Sequence, residues 1–245
     1  MRPNSKVYST KAFVLRSKQY QENSLLVDFF TLDYGRISIL AKGAKNARSI
    51  TKASLQCFIP LNITFAGDPN NLRVLRKVEE ARPSQSLVPP YLYIGFYVNE
   101  LLALLYKEED GSLKLFAALS NIYALLELKK EYEASLRLFE LTLLAEIGSG
   151  VDFCFDSNGN EILLENYYKY DCERGFVSLE KDANLEPEAV SGYIILKLRE
   201  QDFSEKITCQ FDKFLCRKAF APFLKNHHLV SRDVYKSYLD SLACK

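Results

Sequence analysis

No apolar run in this chain approaches the roughly 18 residues of a membrane-spanning helix. Met1 to Thr10 is too polar to be the core of a signal peptide. A cytosolic protein with no membrane contact is the expectation. There is no CxxC pair among the six cysteines, which are Cys57, Cys154, Cys172, Cys209, Cys216 and Cys244. Structural zinc usually draws on closely spaced ligands, since a short loop lowers the entropy of closing the site. Only Cys154 and Cys172 share a loop-like region, and no histidine accompanies them. Reduced free thiols are therefore expected, with no metal and no other cofactor. Catalytic signatures are missing too: P-loop, GxGxxG, HExxH, GxSxG, and any DxD or ExxD carboxylate cluster. The only histidines, His227 and His228, are adjacent and fall near a predicted helix C-terminus, where a cation meets the helix dipole favourably. The chain is not expected to be an enzyme.

What is present is an ordinary globular composition with an uneven charge. Of the 245 residues, 48% are apolar and 26% charged, and the net charge is +1. Through Arg82 there are fourteen Lys and Arg against six Asp and Glu, a net of +8, while the remainder carries a net of −7. Such asymmetry points to two domains, with nucleic acid or a membrane surface facing the basic one.

The pattern of elements divides at the same place. Strands are predicted over 11–16, 24–32, 36–41, 55–66 and 72–78, separated by turns such as Asp33-Tyr34-Gly35. Five short strands without a helix suit a small closed barrel, which has no exposed edges; OB-type and SH3-like barrels share the count. Pro83 to Pro90 holds three Pro and reads as a linker. Beyond it the apolar period becomes helical over 91–106, 112–128 and 131–147, the last stopped by Gly148-Ser149-Gly150. A hairpin or ordered loop is expected within 167–177, in a small irregular insertion around 151–180. Helices then resume over 186–200 and 204–226, interrupted near Pro222, and from an N-cap at Ser231 to about Ala243. The fold class is thus α+β: residues 1–82 a barrel, 83–90 a linker, and 91–245 mainly helical.

The stretch from Ile37 to Lys52 runs from a strand into a loop with Lys42, Lys45, Arg48 and Lys52 and no acidic residue. With Arg16, Lys18, Arg36, Arg73 and Arg76 these are the candidate nucleic-acid-contacting cations. Tyr34 and Tyr20 are the candidate stacking rings, because single-strand binders pair a cationic groove with aromatic platforms. Phe13, Phe29, Phe58 and Phe65 alternate as core residues would. A protein–protein adaptor whose basic barrel binds an acidic protein is the alternative reading.

The residues also resemble a known family. Ala12-Phe13-Val14-Leu15-Arg16-Ser17, Glu22-Asn23-Ser24-Leu25-Leu26, Phe30-Thr31, Gly35-Arg36 and Ala41-Lys42-Gly43-Ala44-Lys45 are similar to the N-terminal domain of the bacterial recombination mediator RecO family. So are Leu55 to Leu61, Tyr97-Val98-Asn99-Glu100-Leu101-Leu102, Leu136-Arg137-Leu138-Phe139-Glu140, Gly148 to Phe153, Gly175-Phe176 and Ser231-Arg232. The resemblance covers nearly the whole chain in order. It implies an N-terminal five-stranded OB-fold barrel on a mainly helical domain, and a non-enzymatic DNA repair and recombination role. It further implies binding of single- and double-stranded DNA and annealing of complementary strands. The implied partners are RecR, the acidic C-terminal tail of single-stranded-DNA-binding protein and, indirectly, RecA. Arg137 matches a tail-binding arginine of the family. Some relatives carry a four-Cys zinc module, and none is expected here because Cys154 and Cys172 lack CxxC partners.

Overall fold

The computed structural model of the chain describes residues 6–44, 55–67, 72–107, 110–180, 188–225 and 227–243. Five strands, β1 (Val7–Tyr20), β2 (Ser24–Thr31), β3 (Gly35–Ala41), β4 (Leu61–Ala66) and β5 (Arg73–Glu80), close a barrel in the order β1-β2-β3-β5-β4. The β3–β5 contact is parallel and the other pairings are antiparallel, with β4 returning to β1. This is an OB-fold barrel. Strand period 2 sends Val14, Val27, Phe29, Ile37, Ile39, Ile63 and Phe65 to the interior, where all are nearly water-free. Gly35 makes the β2–β3 turn at φ +57°, a conformation with no Cβ penalty for glycine.

The expected strand over 55–66 starts only at Leu61. Pro60 has no N–H for a ladder, and Cys57 keeps a single bridge to Val14. The helices α1 (Tyr91–Leu105), α2 (Leu113–Glu127) and α3 (Glu133–Glu146) sit where the period placed them, and Ser112 caps α2 by accepting from the Leu115 N–H at 3.1 Å. Strands β6 (Tyr167–Asp171) and β7 (Gly175–Ser178) form the hairpin, and β8 (Val190–Ser191) joins β6 on its other side. Helix α4 (Gly192–Arg199) begins later than expected, and α5 (Lys206–Leu224) runs through Pro222. Pro222 cannot donate to the Lys218 carbonyl four residues back, and the Cys172 thiol donates to that carbonyl instead, at 3.6 Å. The last described helix is α6 (Val230–Ala243).

Packing groups these elements into two compact units: one of residues 1–130 with 229–245, the other of residues 131–228. In the first, the barrel carries α1, α2 and α6. One β1 bulge falls between Val14 and Arg16, where the Val14 and Leu15 carbonyls accept from the Asn99 side-chain amide of α1 at 3.3 and 3.0 Å. The Tyr123 hydroxyl of α2 in turn donates to the Asn99 carbonyl oxygen. Beside Asn99, Glu100 accepts from the Val230 and Ser231 N–H groups at 2.9 Å each and from the Ser231 hydroxyl. So Ser231 is not the N-cap of α6: Glu100 of α1 caps it from another helix, a carboxylate at the positive end of the dipole. Tyr97 receives the Arg232 guanidinium over its ring, 5.2 Å from the centroid. A close approach holds the far end: a Cβ on Gly111 would lie 2.1 Å from the Leu32 carbonyl oxygen.

Candidate nucleic-acid interface

Strand register places the outward side chains of the barrel in rows. Lys18 lies opposite Leu26, Leu26 opposite Leu40, and Leu40 opposite Val74. One row along are Arg16, Asp28 and Ser38, with Arg76 two residues beyond Val74. Further towards the helices come Phe13, Phe30 and Arg36. The helices close that last part. Phe13 packs against Phe116 and Tyr123 at 5.4 and 5.1 Å between ring centroids, and Phe30 against Tyr106 and Phe116. The other part stays open, with Arg16, Lys18, Lys42 and Arg76 exposed on β1, just beyond β3, and on β5, and Tyr20 exposed at the end of β1. Four adjacent strands at a spacing of about 4.8 Å make a wall about 14 Å wide, comparable to the stacked rise of four nucleotides at about 3.4 Å each.

Asp28 organises this wall. Its Oδ2 accepts from Arg16 Nε at 2.7 Å and Arg36 Nη2 at 3.3 Å, while Oδ1 accepts from the Ser38 hydroxyl. Burial would raise its carboxyl. The hydrogen bonds from Ser38 and Arg16 and the charges of Arg16 and Arg36 outweigh that, so the group is held below its ordinary 3.8. A depressed folded-state carboxyl contributes stability above its unfolded titration, and that contribution is lost as pH falls below about 4. Asp28→Asn should therefore cost about 1–3 kcal/mol at pH 7 and less at pH 3. Urea midpoints of the two proteins at both pH values check this, and equal gaps at the two would refute the assignment.

The sequence-chosen cations fall into four groups. Arg16, Lys18, Lys42 and Arg76 lie on the open wall. Arg36 turns inward: besides Asp28, it donates to the Ala103 carbonyl at 2.6 Å and the Tyr106 carbonyl at 3.4 Å, at the C-terminal end of α1. A cation there meets the negative end of the helix dipole. Arg73 is half-buried in register with Ile39. Lys45, Arg48 and Lys52 lie outside the described residues. Tyr34 is not on the wall. It sits edge-on against Tyr8 and Phe65, each 5.5 Å away, and packs against the barrel core.

In the second unit, Arg137 is 5% exposed and its Nη1 lies 2.5 Å from Glu140 Oε2, one turn along α3. Glu133, four residues earlier on the same helix, is exposed. Across from them α5 contributes Asp212 and Cys216, both buried. Burial, then the Glu140 charge, push the Asp212 carboxyl up to about 8, against the opposing Arg137 guanidinium. Burial and the same two carboxylates raise the Cys216 thiol.

Comparison with known proteins decides the family. The model described as Recombination protein O N terminal matches residues 2–84, and that of Recombination protein O C terminal matches residues 89–207. The chain belongs to the recombination protein O (RecO) family. It is 40% identical over 232 residues to the DNA repair protein RecO of Pasteurella multocida, covering 94% of this chain and 95% of that protein. It is 37% identical over 239 residues to the DNA repair protein RecO of Dechloromonas aromatica, covering 96% and 98%. The two RecO models meet at the Pro83–Pro90 stretch, whereas the compact units divide after Lys130. The RecO-like motif at Tyr97, Asn99 and Glu100 is structural here, fastening β1 and α6 to α1. Its spacing gave no sign of this, because the partners in β1 and α6 are more than eighty residues away. No helix among the described residues is long and apolar enough to cross a membrane.

Proposed function

We propose that the open β1-β2-β3-β5 wall binds single- and double-stranded DNA, and that the protein works as a recombination mediator without bond chemistry. The observation that carries this is the placement of Arg16, Lys18, Lys42 and Arg76 on one exposed wall of an OB-fold barrel in a RecO-family chain. Phosphates held there release counterions, and that release supplies the affinity. Tyr20, exposed beside Lys18, offers a face for a base. In this reading the basic segment 1–82 is the DNA-binding module. The acidic remainder receives RecR and the acidic tail of single-stranded-DNA-binding protein. Bringing a coated strand beside its complement raises their effective concentration, favours annealing, and leaves DNA that RecA can occupy. Arg137 enters only by exchange, a tail carboxylate taking the place of Glu140.

The test is a salt titration of binding to labelled single-stranded DNA. Replacing Lys18, Lys42 and Arg76 with Ala should flatten the slope of log K against log salt by about 2, at about 0.7 per lost phosphate contact. An unchanged slope removes the wall from the DNA path. Absence of any DNA binding by the wild type would favour the adaptor reading.

A further inference from the structure

Helix α5 presents three buried polar side chains at four-residue spacing, Thr208, Asp212 and Cys216, so they lie one above another on a single face. Asp212 and Cys216 meet Glu140 of α3: a carboxylate oxygen of each acid and the Cys216 sulfur all lie within 4.8 Å of one another. Thr208 and Asp212 are each 0% exposed, and neither Thr208 Oγ1 nor Asp212 Oδ1 has a hydrogen-bond partner. A helical threonine usually returns its hydroxyl to a carbonyl of the preceding turn, and this one does not. Unpaired buried oxygens on successive turns are costly, and a bound ion is one of the standard explanations for such groups.

We infer that Glu140, Asp212 and Cys216 form a buried site for one thiophilic divalent cation of the zinc class, with Thr208 beside it. Without metal the Cys216 thiol donates to Asp212 Oδ2 at 3.5 Å. Binding displaces the Asp212 and Cys216 protons, and two carboxylates, a thiolate and the Arg137 guanidinium then sum to −2, which a single divalent ion neutralises. One sulfur and two oxygen donors suit a borderline ion such as Zn²⁺ or Co²⁺ and do not suit Ca²⁺ or Mg²⁺. Arg137 does not exhaust Glu140, because a carboxylate has about four lone-pair sites. Zinc bonds of about 2.0–2.3 Å set tetrahedral donors about 3.5 Å apart, so closure asks for about an ångström of side-chain movement. The site is separate from Cys154 and Cys172, which are both exposed. Its effect would be to cross-link α3 to α5 within the second unit.

The experiment uses full-length protein freed of metal by chelation and titrated with Co²⁺, then with Zn²⁺ as competitor. The expected result is one Co²⁺ per chain with a thiolate-to-cobalt charge-transfer band, displaced by Zn²⁺. Cys216→Ser should abolish the band, and Asp212→Asn, nearly isosteric, should weaken binding at least tenfold. A Cys154→Ser/Cys172→Ser variant, which alters only exposed thiols, should keep both band and stoichiometry. The inference is overturned if wild type binds no Co²⁺ at one equivalent, if the band survives in Cys216→Ser, or if it disappears with the exposed thiols.

Discussion

Asn99→Ala should lower the stability of the barrel unit by about 3–5 kcal/mol, among the larger effects available to one polar residue. The amide is 5% exposed and serves three buried groups: the Val14 and Leu15 carbonyls at the β1 bulge and the Tyr123 hydroxyl. Truncation takes that partner from the Val14 carbonyl and the Tyr123 hydroxyl in a place water does not reach, at about 1–3 kcal/mol each before relaxation, and leaves the Leu15 carbonyl only the Cys57 thiol at 3.6 Å. Tyr123→Phe should cost less, since it removes one group from the network. The double variant should cost less than the sum of the singles, because the hydroxyl is no longer there to be orphaned. Urea midpoints of the four proteins decide it. Strict additivity would show that Asn99 and Tyr123 act independently.

Arg137→Ala should cost the second unit about 3–5 kcal/mol, the usual consequence of removing one partner of a buried ion pair. Buried Glu140 would then face Asp212 without the Arg137 guanidinium, in surroundings where burial already pushes the Asp212 carboxyl up. Arg137→Met with Glu140→Gln removes both charges and should recover most of the loss. Thermal unfolding of the single and double variants makes the comparison. An Arg137→Ala protein as stable as wild type would mean that the ion pair does not hold α3. The result also governs how binding data are read. A loss of tail affinity in Arg137→Ala counts as a contact only if the double variant, with stability restored, loses it too.

The barrel and helices were legible because their signals are local. Alternation marks Val27 and Phe29 as interior and Leu26 and Asp28 as outward, and the period of 3.6 finds α1, α2 and α3 to within one or two residues. Local pattern misses what depends on a distant partner. Arg36 looks like any strand-end cation, yet it reaches the end of α1, while Lys18 with similar neighbours stays in water. Tyr34 beside a turn glycine has the local look of an exposed ring, and only barrel closure brings Tyr8 and Phe65 against it. Ser231 has the composition of an N-cap, but Glu100 takes that position from a helix 130 residues earlier. Charge reading had the same limit: it separated a basic part from an acidic one, but not Arg16, which shares Asp28, from Lys42 beyond the end of β3.

The Glu100 cap also sets the order in which the molecule can be finished. Helix α6 belongs with the barrel, docked through Tyr235 and Tyr238 on Tyr93, yet all of residues 131–228 are synthesised before it. During translation the barrel unit must wait, with the Tyr93 face of α1 open to solvent and the Glu100 carboxylate without its backbone donors, while the second unit emerges and folds. That interval is when the nascent chain is most open to chaperones and to misassembly between copies.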